Sequence, residues 1–342
     1  MQRCLAILLA FAVLALGCED SATSDDPLGP AGGPDAGAPD PDPDSPDADV
    51  IPDPPADAAG VELGDADECV TEVTSGEHVF SCGAITFDVS IPDACSVSHC
   101  GLILDVHGGC MSGRMEDANT NLRALGREHG YIVIQPNANP APPLSSWATT
   151  DDATILEFVE RMIEIWDVDR DRVHLTGFSQ GGFMTWRILC RDTGLFASVA
   201  PAAAAENAAP IAPEGCLLSQ ADGVDPSVDI LYMAGIQDVF IDIEVARGQR
   251  DDALATLGMG IGQEVAGDEG FSLTRYENES GTTFEYLEHD YSTSNIFLGG
   301  HCYPGSSDPG TEPGQLFSFA CEGDSGFRWG EMAIEFFMAH PR

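Results

Sequence analysis

Gly177-Phe178-Ser179-Gln180-Gly181 places a serine between two glycines, a G-x-S-x-G pattern. Such a serine can act as a nucleophile when a sharp turn lifts it above a strand and a base takes its proton. The setting fits. The apolar run Val173-His174-Leu175-Thr176 reads as the strand before it, and Phe183, Met184, Trp186 and Ile188 recur at helical spacing after it. Only small residues fit two places before and after a serine held in so tight a turn, which accounts for Gly177 and Gly181.

An attacking serine creates an oxyanion, which must meet backbone N–H donors. His107-Gly108-Gly109-Cys110 follows the apolar run Leu102 to Val106, and glycines there allow close backbone approach. The expected donors are the N–H of Gly109, with Cys110 as the alternative, and the N–H of Gln180. His107 is expected to brace this loop rather than react.

A serine also needs a base, and the base an orienting acid. Asp238 follows the strand-like Ile230 to Gly235, and His301 follows Ile296-Phe297-Leu298-Gly299-Gly300, also read as a strand and turn. The chain order is then Ser179, Asp238, His301. His289 is the rival base, placed in or near a hairpin, and Asp229 and Asp242 are the rival acids. Gly323-Asp324-Ser325-Gly326 resembles the serine motif of trypsin-like proteases, but Phe327 stands where that motif needs another glycine. His99-Cys100 and His301-Cys302 lack the spacing of a metal site. The chemistry requires no cofactor.

These residues must be held by elements of alternating type. Strands are predicted at 84–91, 101–106, 131–135, 172–176, 196–200, 229–233 and 295–298, with a hairpin from 271–276 and 283–287. Helices are predicted at 115–128, 151–166, 181–190, 241–257 and 330–339. Alternation of this kind predicts an α/β domain with a mostly parallel sheet and helices on both faces. Sites in such sheets lie at the carboxyl ends of the strands.

The chain has three parts. Residues 1–18 read as an export signal: Arg3, an apolar run from Leu5 to Leu16, then Leu16-Gly17-Cys18, similar to the cleavage box of bacterial lipoproteins. That similarity implies a lipid anchor at Cys18, the expected membrane attachment. Residues 19–68 hold sixteen acids, ten prolines and no base, so they predict an extended, disordered linker. Residues 69–342 form the catalytic domain. The net charge is −43 and all 14 cations are Arg, which excludes nucleic acid as a partner. Nine of the 11 cysteines lie beyond the leader, as suits an oxidising extracellular or cell-envelope location. Local pairs are expected at Cys69–Cys82, Cys95–Cys100, Cys190–Cys216 and Cys302–Cys321, leaving Cys110 over.

From Phe80 onward the chain resembles the secreted polyhydroxybutyrate depolymerase and feruloyl or acetylxylan esterase family of α/β-hydrolases. The resemblance rests on His107-Gly108-Gly109, Asp151-Asp152, Asp169 to Val173 leading into Gly177 to Gly182, Phe196 to Pro201, Gly235 to Asp238, Gly300 to Gly305, and Phe336 to Pro341. It implies an α/β-hydrolase fold and a serine esterase with Ser179 as nucleophile, Asp238 as acid and His301 as base. The implied substrates are acyl esters on polysaccharides or hydroxyalkanoate oligomers. Ala234 replaces the family's usual histidine, and Tyr303 its usual tryptophan, at a position expected on the pocket rim. Trp147 is a candidate to stack on substrate or to anchor packing. A peptidase, or a tethered binding protein on an inactive scaffold, are the rival readings.

Overall fold

The structure, a computed structural model, describes residues 61–191, 194–206, 215–221 and 227–342. The export signal, Cys18 and the linker up to residue 60 lie outside the described residues. In chain order the strands are β1 (Gly76–Cys82), β2 (Ile85–Ile91), β3 (Gly101–Val106), β4 (Tyr131–Asn137), β5 (Val173–Phe178), β6 (Ser198–Ala202), β7 (Asp229–Gly235), β8 (Gln263–Gly267), β9 (Phe271–Glu277) and β10 (Thr283–His289). The helices are α1 (Gly113–Thr120), α2 (Leu122–His129), α3 (Asp151–Ile165), α4 (Gln180–Arg191), α5 (Ile243–Thr256) and α6 (Trp329–Ala339).

One sheet runs in the order β1-β2-β4-β3-β5-β6-β7-β10-β9-β8. Its centre, from β4 to β10, is parallel. The β1–β2 hairpin closes one side antiparallel, and β9 with β8 closes the other. Side chains alternate across β3: Leu102, Leu104 and Val106 join one core, while Ile103 joins the other. Helices α3, α4 and α5 cover the first face, and α1, α2 and α6 the second. Full burial of a side chain such as Phe158 or Phe337 is worth about 1.5–3 kcal/mol. The expected α/β architecture, parallel at its centre and covered on both faces, is what the chain forms.

Helix α4, which carries the Ser179 turn, is clamped to α3 by a buried ion pair. Arg187 donates to Asp152 from Nε at 3.0 Å and from Nη2 at 2.7 Å, and Arg191 adds a third bond at 3.1 Å. Removing one partner of such a pair costs about 3–5 kcal/mol, because the other charge stays buried.

Several local expectations change. The helix predicted at 115–128 is two, split where Asn121 takes a left-handed conformation at φ 56°. Asparagine tolerates that region better than most residues. The strand predicted at 295–298 is a turn, with Ile296 76% exposed. Strands β1 and β8 lie at the sheet edges and carry too many exposed residues to show a core pattern. The four expected disulfides all form. Cys110 is not left over; it too is disulfide-bonded.

Residues 61–68 already dock on the domain. Gly64 N–H donates to Ile165 O at 2.8 Å, and Asp67 pairs with Arg161 at 2.5 Å. Among the described residues no helix is long and apolar enough to cross a membrane.

Candidate active site

Strand β5 ends at Phe178 and α4 begins at Gln180, so Ser179 alone makes the turn. It does so at φ 52°, a left-handed conformation that costs a non-glycine residue roughly 1–3 kcal/mol. The turn is held from both sides. Ser179 N–H donates to Ala202 O, and Phe183 N–H to Ser179 O, both at 2.9 Å. A methyl group on Gly181 would fall on the Val106 carbonyl oxygen, and one on Gly177 would lie 2.6 Å from Gly181 backbone atoms. Both glycines are therefore required by contact.

The His107-Gly108-Gly109 loop leaves β3 beside this turn. A methyl on Gly108 would lie 3.3 Å from Ser179 Cβ, and one on Gly109 would lie 2.8 Å from the Gln180 side chain. His107 sets the loop's orientation. Its Nε2 accepts from Ala138 N–H at 3.1 Å, so the ring proton sits on Nδ1 and is donated to Gly108 O at 2.6 Å. Burial keeps this ring neutral, lowering its pKa to about 4. A trans peptide holds its C=O and N–H on opposite sides, so anchoring Gly108 O turns Gly109 N–H the other way. Cys110 N–H donates to Ser145 O at 2.8 Å, which removes it as the alternative oxyanion donor. Trp147 is buried, donates its indole N–H to His107 O at 2.8 Å and packs on the His107 ring at 4.6 Å. It is a brace of the loop, not an exposed platform. The Gln180 side chain joins in, accepting from Trp147 N–H at 3.1 Å.

Asp238 and His301 meet. His301 Nδ1 and Asp238 Oδ2 are 2.7 Å apart, with both side chains under 5% exposed. Asp238 Oδ1 accepts from the N–H groups of Phe240 and Ile241 at 2.7 and 2.9 Å, so each of its oxygens has a partner. The His301 ring packs on Phe178, the residue before Ser179, at 4.8 Å, and against Phe240 at 5.0 Å. Bonding at Nδ1 leaves Nε2 as the nitrogen turned away from the carboxylate.

Asp238 does follow a strand, β7, but His301 follows the turn at 295–300. The histidine at a strand end is His289, at the close of β10. It is buried, its pKa lowered to about 4 by that burial, and it stacks on Tyr291. The rival acids are engaged elsewhere: Asp242 caps α5, and Asp229 accepts from Thr283 N–H and faces His340. Ser325 of the protease-like motif lies beside Asp268, Gly270 and Tyr291, with no histidine among its cavity neighbours. Among the described residues no cluster of three His, Cys, Asp or Glu side chains is placed to hold a metal.

Two residues near the site, Asp105 and Glu116, escaped the sequence reading, and a third, Tyr303, was placed wrongly by it. Tyr303 is fully buried rather than on a rim, stacked at 4.0 Å on Phe178. Its hydroxyl donates to the buried Glu116 at 2.6 Å. Asp105 is buried at the end of β3. An acid inside the apolar run Leu102 to Val106 was the available signal.

No family model matches this chain. Over 103 residues it is 27% identical to a bifunctional acetylxylan esterase/xylanase of Neocallimastix patriciarum, a stretch covering 29% of this chain and 15% of that protein. The chain thus spans about 15% of that relative's length. Among solved structures, an acetyl xylan esterase from Aspergillus awamori is similar over 63% of this chain and 93% of its own, at 13% identity and a TM-score of 0.48. A thermostable esterase is similar over 78% of this chain and 62% of its own, at 17% identity and a TM-score of 0.48. The parallel centre, the helices on both faces and the strand–serine–helix turn at the end of β5 together make this an α/β-hydrolase fold.

Proposed function

We propose that this chain is a serine ester hydrolase that works through an acyl-enzyme. The observation that carries the reading is the Asp238–His301 bond of 2.7 Å, beside a Ser179 turn held at φ 52°. His301 Nε2 takes the Ser179 proton as Oγ attacks the ester carbonyl. Asp238 fixes the Nδ1–H tautomer and stabilises the imidazolium. The N–H groups of Gly109 and Gln180 receive the oxyanion. His301 then passes the proton to the departing alcohol. Water, activated by the same nitrogen, attacks the acyl carbon, releases the acid and restores Ser179.

The substrate class is acyl esters on polysaccharides, acetylated xylan in the first instance. The similarity to the Neocallimastix acetylxylan esterase/xylanase supports this reading over hydroxyalkanoate oligomers. Four disulfides support an extracellular or cell-envelope location. Attachment through a lipid on Cys18 completes the proposal; Cys18→Ser should then move the protein from the membrane to the soluble fraction.

The test of the activity is p-nitrophenyl acetate hydrolysis with and without a fluorophosphonate, and mass spectrometry to place the adduct. Turnover that disappears with an adduct on Ser179 is expected, and Ser179→Ala should lose about 10⁶-fold in kcat. A folded wild-type protein that neither turns over nor is labelled would end the reading.

A further inference from the structure

Asp105 and Glu116 form a buried carboxyl pair directly behind the oxyanion loop. Asp105 is fully buried and Glu116 is 1% exposed. Asp105 Oδ2 accepts from Gln135 Nε2 at 2.8 Å and from Thr120 Oγ1 at 3.1 Å. Its other oxygen, Oδ1, has no N–H or hydroxyl donor. The Glu116 carboxyl is also hydrogen-bonded to Asp105. Two carboxyls can bond in this way only if one carries a proton. Burial raises both groups, and the bond between them lowers Asp105 while raising Glu116, so Glu116 is the donor of the pair.

Glu116 has two more partners, from two other parts of the site. Tyr303 donates to Oε2 at 2.6 Å, and the Gly108 backbone N–H also bonds the carboxyl. Tyr303 lies two residues beyond His301, and its backbone is paired to Phe319 and Cys321. Its ring lies on Phe178 at 4.0 Å, one residue before Ser179. One neutral carboxyl thus touches the oxyanion loop and the histidine segment, and through Tyr303 it backs the serine turn.

We propose that Glu116, as an uncharged acid, is a positioning residue of the esterase site: it ties Gly108 to Tyr303 and so sets the oxyanion loop against the Phe178–Ser179 turn. This rests on the serine-esterase reading above. Glu116 touches no reacting atom. Its effect should therefore fall on kcat, with KM left nearly unchanged.

The test compares wild type, Tyr303→Phe, Glu116→Leu and Glu116→Gln as full chains, by kcat and KM on p-nitrophenyl acetate, thermal unfolding and fluorophosphonate labelling. Tyr303→Phe keeps the ring on Phe178 and loses the hydroxyl; kcat should fall about 10-fold at nearly constant KM. Glu116→Leu should lose about 100-fold. Glu116→Gln still accepts from Tyr303 and donates to Asp105, so it should recover most of what Glu116→Leu loses. Wild-type kcat in folded Tyr303→Phe would overturn the proposal, as would a Glu116→Gln enzyme no better than Glu116→Leu. If Glu116→Leu does not fold, the Tyr303→Phe result decides alone. A wild-type protein without turnover or adduct would instead overturn the esterase reading, and this inference with it.

Discussion

Asp238 and Gly299 face each other across an isolated antiparallel bridge. Next to it, Gly300 N–H donates to Gln237 O at 2.8 Å. The segments carrying the proposed acid and base are therefore stitched together by backbone, one residue from each of those side chains. A methyl on Gly300 would lie 2.8 Å from Asp238 N. Gly300→Ala should push the two segments apart and lower kcat about 100-fold, with a smaller effect on overall secondary structure. Kinetics beside circular dichroism would check this, and unchanged kcat would show that the stitching is dispensable.

Asp238→Asn tests the acid separately. Asparagine can still accept from Phe240 and Ile241, so the loop should hold. Its amide would donate toward His301 Nδ1 and impose the wrong tautomer. A loss of roughly 10⁴-fold in kcat is expected. If kcat fell less than about tenfold, Asp238 would lose its assigned role.

Trp147→Phe removes the indole N–H that braces His107 O while keeping an aromatic ring. Because the ring is buried, the effect should be the same for acetyl and feruloyl esters, about 3–10-fold in kcat for one lost bond. Rates on a matched pair of esters would show it. A loss confined to the feruloyl ester would put Trp147 in contact with the acyl group.

Asp105 gives the fold a pH dependence. Its carboxyl is held up at about 7 by burial, against 3.8 when unperturbed. A folded-state pKa above the unfolded one means the contribution is full below about 3.8 and is lost as pH rises through 7. Asp105→Asn removes that loss. Its Tm should match wild type near pH 4 and exceed it increasingly toward pH 8. Melting curves at pH 4, 6 and 8 would reveal a gap that fails to widen.

The serine turn was legible because its parts are local. A short apolar strand, small residues on both sides of Ser179 and a helical repeat after it lie within about twenty residues. The four disulfides were legible for the same reason, since each closes a short loop. The placement of His301 was not. Ile296, Phe297 and Leu298 look like a strand by hydrophobicity, yet only Leu298 is buried and Asn295 turns the chain by accepting from Leu298 and Gly299 N–H. Asp105, Glu116 and Tyr303 were beyond reach as a group. Their meeting depends on α1 and the histidine segment packing behind β3, which no local pattern encodes.

The docking of residues 61–68 has a geometric consequence. Gly64 is bonded to Ile165, at the end of α3, and Asp169 N–H, just beyond, donates to Cys100 O, immediately before β3. This is the amino edge of the sheet. Ser179 stands at the opposite edge, one β5 length away, about 20 Å at 3.3 Å per residue. A bead or carrier coupled ahead of Val61 would therefore sit behind the sheet, and the immobilised domain would turn the Ser179 edge toward the solution.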